Sequence, residues 1–67
     1  MTLKDLMNQV EVTGRIVIME KNIERYHGIV DHLVNYSIDY EDLLNKEISC
    51  LFPAYVDNKN GICIWIK

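Results

Sequence analysis

Glycine and proline are scarce in this chain of 67 residues: three glycines, at 14, 28 and 61, and one proline, at 53. Glycines so far apart cannot build a phosphate-cradling loop or a dinucleotide fingerprint, both of which need several within one strand-to-helix turn. No nucleophile elbow is present either. Two cysteines, Cys50 and Cys63, do not make a dense disulfide framework. In a reducing compartment they are expected to serve as small buried hydrophobes. No apolar run approaches the roughly 20 residues of a membrane span. The opening Met1-Thr2-Leu3-Lys4-Asp5 puts an acid where a signal peptide carries its apolar segment. A cytoplasmic protein without a membrane partner is expected.

Cationic density is also missing. Residues 1–30 are balanced, with Lys4, Arg15, Lys21 and Arg25 against Asp5, Glu11, Glu20 and Glu24. Residues 31–67 carry the whole net charge of -3, with Asp31, Asp39, Glu41, Asp42, Glu47 and Asp57 outnumbering Lys46, Lys59 and Lys67. Without a basic stripe the electrostatic footprint of nucleic-acid binding is absent. The scattered acids fall short of the long carboxylate rows of a DNA mimic.

What is present is an ordinary globular composition, 49% hydrophobic. The length allows a single domain, 1–67, that buries only about 60% of its unfolded surface. Chains this small usually add disulfides, a metal or a partner subunit.

Thr2 and Asp5 suit a helix N-terminus, and Leu3, Leu6, Met7 and Val10 follow at helical spacing. A helix over roughly 3–9 is predicted. Gly14 ends that region, and the β-branched run Arg15 to Glu20 reads as a central strand. Lys21-Asn22 is a plausible turn into a second, antiparallel strand from Ile23 to Val30. Gly28 within it suggests a bulge or a close contact. Asp31 is placed to cap a short helix over 31–35, and Asp39 to cap another through Leu44 that a left-handed Asn45 would stop. The last segment reads as a hairpin. Ile48, Cys50 and Phe52 alternate along one strand, and Ile62, Ile64 and Ile66 along the other, with Cys63 and Trp65 on the opposite face. Residues 57–61 supply the turn, and Pro53 marks a strand end or an edge. The expected fold is α+β: a four-stranded antiparallel sheet with an N-terminal helix and one or two short helices on one face.

Candidate chemistry is thin. His27, His32, Cys50 and Cys63 lack the close ligand pairs of a zinc site, and no metal or cofactor is expected. Neither cysteine has the electropositive setting and adjacent base of a nucleophile. Glu41 and Asp42 are helix neighbours that point apart, so they do not share a substrate. No catalytic residues are assigned, and a non-enzymatic protein is expected.

The aromatic residues suggest binding. Tyr26, Tyr36, Tyr40, Tyr55 and Trp65 are many for so small a surface, and such side chains recur at interfaces. The face with Cys63 and Trp65, and Leu51 beside them, is expected either to meet a partner or second subunit, or to be covered within the monomer. If the first two strands pair, Arg15, Arg25, Tyr26 and His27 could grip a phosphate or nucleotide. The competing expectation there is a solvated face with Glu20 and Glu24 as neighbours.

The order of these features resembles a known group. An opening T-L-K-D-L-M leads to R-I-V-I-M-E. Y-x-G-x-V-D-x-L follows over Tyr26 to Leu33, then Y-E-D-L-L-N-K-E-I over Tyr40 to Ile48 and a closing I-x-I-x-I. This resembles very small accessory proteins encoded in phages and prophages of low-GC Gram-positive bacteria. The resemblance implies counter-defence in a host bacterial cytoplasm, by binding a host protein. The alternatives are a homo-oligomeric sponge for a signalling nucleotide and a purely structural, self-assembling subunit.

Overall fold

A computed structural model of the protein describes residues 1–9 and 14–67. In chain order the elements are α1 (Leu3–Gln9), β1 (Arg15–Glu20), β2 (Ile23–Ile29), α2 (Val30–Asn35), α3 (Glu41–Leu44), β3 (Ile48–Val56) and β4 (Lys59–Ile66).

Helix α1 starts on a reciprocal cap. The Asp5 N–H donates to Thr2 Oγ1 and the Thr2 N–H to Asp5 Oδ2, each at 3.1 Å. The Thr2 backbone N–H, and after it the Thr2 hydroxyl, holds the Asp5 carboxyl below its usual range. Leu3 is buried, and Leu6 and Met7 pack beside it on the core; Val10, expected on the same stripe, lies outside the described residues. The start of α1 is tied to the entry of β3, since the Leu3 N–H donates to the Lys46 carbonyl at 3.0 Å and the Ile48 N–H to the Met1 carbonyl at 2.9 Å.

Two tight hairpins build the sheet. Lys21 and Asn22 both have positive φ, as do Asp57 and Asn58, so each hairpin turns on two left-handed residues. That backbone matches the right-handed twist of the flanking strands. The second turn is shorter than expected: Lys59, Asn60 and Gly61 already belong to β4.

The sheet order is β2-β1-β4-β3. Strands β1 and β4 run parallel at its centre, so the sheet is mixed rather than antiparallel throughout. Each hairpin is antiparallel, but the segment through α2 and α3 returns the chain so that β3 descends beside β2's direction and β4 rises with β1. The isoleucine-rich strands β1 and β4 thereby share the middle, while β3, richer still in apolar residues but interrupted by Pro53, takes an edge.

Strand alternation sorts the side chains. Ile16, Ile18, Ile64 and Ile66 face the helices and are buried with Leu3, Val30, Leu33, Leu43 and Leu44. Other expectations need correction. Val30 opens α2 rather than ending β2. Its N–H donates to the Gly14 carbonyl at 2.9 Å, so α2 begins on Ile29 without a side-chain cap and Asp31 sits in its first turn. Helix α3 likewise begins after Tyr40, not on an Asp39 cap, and Asn45 is right-handed, its N–H taken by the Glu41 and Leu43 carbonyls. Gly28 is a close contact rather than a bulge: a Cβ there would stand 3.1 Å from the Tyr26 hydroxyl.

Candidate functional site

A bulge between Ile48 and Cys50 decides what the uncovered face contains. Ile48 faces the helices, opposite Ile66, but past the bulge the phase changes. Cys50 stands opposite Trp65 and Phe52 opposite Cys63. Leu51, expected beside Trp65, instead shares the side of Ile64, where it is 49% exposed.

The uncovered face is therefore organised in rows. Met19, Trp65 and Cys50 form one row, Val17, Cys63 and Phe52 the next, and Arg15, Gly61 and Ala54 the third. Val17, Met19, Cys63 and Trp65 are half-buried by one another, while Phe52 is 44% exposed. Cys50 and Cys63 are free thiols on diagonal positions of this surface. Burial pushes the Cys63 thiol up.

Charges occupy the β2 margin of the same face. His27, paired with Val17 across β1 and β2, holds Glu24 Oε1 through Nδ1 at 3.0 Å and both Asp57 carboxylate oxygens through Nε2 at 3.0 Å. Carboxylates only accept, so both ring nitrogens donate and the imidazolium is favoured. Asp57, then Glu24, raises the His27 pKa above 6.5. The same contact with His27 lowers that of Asp57. Arg15 also reaches Asp57, at 3.2 Å. This cluster straps the β3–β4 turn across β1 onto β2. Sequence reading missed it: Asp57 reads as a turn residue, and nothing local signals a partner thirty positions away.

A shallow cleft of about 610 Å³ wraps the outer edge of β2 and is lined by all four expected grip residues, Arg15, Arg25, Tyr26 and His27, with His32 and Tyr40. Its cations already face carboxylates. Arg25 pairs with Glu20, which Lys46 also holds at 3.3 Å. Burial opposes the Glu20 charge, yet Lys46 and Arg25 together keep its carboxyl below the usual value.

Three of the five aromatic candidates, Tyr26, Tyr36 and Tyr40, gather around His32, while Tyr55 and Trp65 stand apart from them. Tyr26 is 8% exposed, a core residue whose hydroxyl donates to the Ile29 carbonyl at 2.7 Å. Tyr40 meets it edge-on at 5.2 Å, and Tyr36 lies outside them against His32 at 4.7 Å. Tyr55, 81% exposed, stands alone on the β3–β4 hairpin. Trp65 is the one candidate within the uncovered face. Among the described residues no three His, Cys, Asp or Glu side chains converge as a metal site would need. None of the described helices is long and apolar enough to cross a membrane.

No protein-family model, curated protein or solved structure matches this chain.

Proposed function

We propose that this chain is a non-enzymatic accessory protein that acts by protein association, with the helix-free face of its sheet as the contact surface. The observation that carries the reading is the row of Val17, Cys63 and Phe52 beside Met19 and Trp65, a contiguous apolar area on one side of a sheet whose described helices pack on the other. Contiguous apolar surface of this kind marks interaction sites. Tryptophan at the centre of such an area suits an anchor. The phage-type setting, with a host protein as target and counter-defence as outcome, rests on the resemblance of the sequence. Capture from a host lysate tests it. The wild-type chain is expected to retain a stoichiometric partner that Trp65→Glu loses; retention by both, or by neither, removes this surface as the cause.

A second reading is favoured by the β2 cleft, because Arg15, Arg25, Tyr26 and His27 line one hollow. There the protein would hold a nucleotide, aromatic rings against the base and guanidinium groups against phosphate. It ranks lower because a phosphate must displace Asp57 and Glu20 from those guanidinium groups. Thermal-shift measurements with linear and cyclic nucleotides separate the two readings, since a ligand that binds only the folded state raises its melting temperature.

A further inference from the structure

We propose that the uncovered face of the sheet is occupied by a second copy of this chain, the two sheets packed face to face about a two-fold axis that runs across the strands. The inference rests on the reading of that face as the contact surface, and it names the occupant.

Both edges of the sheet resist lateral growth. Pro53 sits mid-way along β3, an edge strand, opposite Ile62. A proline keeps such a place where its missing N–H would point outward, so the free edge lacks a donor at its middle. At the other edge β2 carries Glu24, Arg25 and His27 beside a register shift, the charged and bulged pattern that blocks strand addition. The apolar face is left as the surface to cover.

Its size fits a self-partner. Four strands of six to nine residues give a footprint of about 450 Å² at the usual strand spacing and rise. Two such faces bring about 900 Å² of flat footprint together, close to the total of about 1,000 Å² at which specific interfaces begin.

Charge placement chooses the axis. An axis along the strands would lay Glu24 and His27 of one copy over Cys50 and Phe52 of the other, stripping charges of water against apolar side chains. An axis across the strands keeps β2 over β2 and β3 over β3. It leaves the charged margin shared at the rim and inverts the rows. Arg15 then lies beside the row that holds Glu24 in the other copy, and bulky Trp65 lies over the row of Gly61 and Ala54. Cys63, in the middle row of a central strand, comes next to the two-fold axis.

Sedimentation and light scattering test the proposal directly. The expected mass is twice that of the 7.9 kDa chain. Val17→Lys, which changes the uncovered face and not the helix-covered one, is expected to give a monomer with an unchanged far-UV spectrum. Alkylation of Cys63 by iodoacetamide is expected to slow as wild-type concentration rises, and to be concentration-independent in Val17→Lys. Nitroxide labels at Leu51→Cys, with Cys50 and Cys63 replaced by Ser, are expected to be close, because both copies' β3 strands lie together. A separation larger by the width of the sheet overturns the axis. A wild-type monomer at every concentration overturns the dimer. If that monomer still captures a host protein that Val17→Lys loses, the association reading stands with another occupant; if it captures nothing, both fall.

Discussion

The two faces of this sheet are cut from the same strands, yet apart from Val56, buried at the hairpin end of the helix-free side, they differ in how closely they are packed. On one side Ile16, Ile18, Ile64 and Ile66 lie under three helices and form the core. On the other Val17, Met19, Cys63 and Trp65, each the immediate neighbour of a core residue, shield one another only in part. The comparison teaches that apolar character alone does not make a core. A strand buried on both faces and a strand buried on one can have the same composition. What separates them is the covering layer, which the described helices supply to one side of the sheet.

The strongest way to break the comparison is to truncate adjacent positions to alanine. Ile64→Ala is expected to cost about 2–5 kcal/mol in urea unfolding, because it opens a cavity beneath the helices. Cys63→Ala, one residue away, is expected to cost about 1 kcal/mol or less. Equal losses would mean that the second face is as closely packed as the first. Next in size is Gly61→Ala. Its Cβ would stand 2.7 Å from the Arg15 carbonyl and 3.0 Å from a Val56 methyl, so β1 and β4 must move apart. A loss of about 1–3 kcal/mol is expected, with increased amide exchange along both strands. A loss no larger than that of Cys63→Ala would show that the parallel pairing tolerates side chains there.

Smaller effects belong to the polar contacts. Thr2→Ala removes the α1 cap and is expected to cost about 1 kcal/mol, read as a lower urea midpoint with an unchanged slope. The His27 strap is exposed, and its signature is a pH dependence. Its folded pKa lies above the ordinary 6.5, so its contribution is complete below that value and fades as pH rises through the raised one. The melting temperature of the wild type is therefore expected to decline across that window more than that of His27→Gln. Parallel profiles would remove the strap as a stabilising contact.

Much of the local structure could be read in the residues. The Thr2–Asp5 cap, the Lys21-Asn22 turn and the inward set Ile62, Ile64 and Ile66 are short-range features, and the chain realises them. Pro53 at an edge follows from its missing donor. The parallel pairing of β1 with β4 could not be read, since alternation reports which face a side chain takes and not which strand lies beside it. The bulge after Ile48 exchanged Leu51 for Cys50 and Phe52 on the uncovered face, and one unpaired residue leaves no mark in composition. Tyr26 read as a surface aromatic because its burial depends on Tyr40 and the Ile29 carbonyl. Of the uncovered face, the pairing of Trp65 with Cys63 was legible, and Cys50 and Phe52 beside them were not.

By itself the amino-acid order determined where the chain turns, which residues pair locally as hairpins and which stripe each strand offers to a core. These depend on backbone preference and spacing over a few residues. Tertiary structure alone decided that the hairpins meet through β1 and β4, that one face takes all the helices, and that His27, Arg15 and Asp57 share one cluster. Those outcomes come from contacts between distant segments, whose energies are settled only when the whole core closes at once.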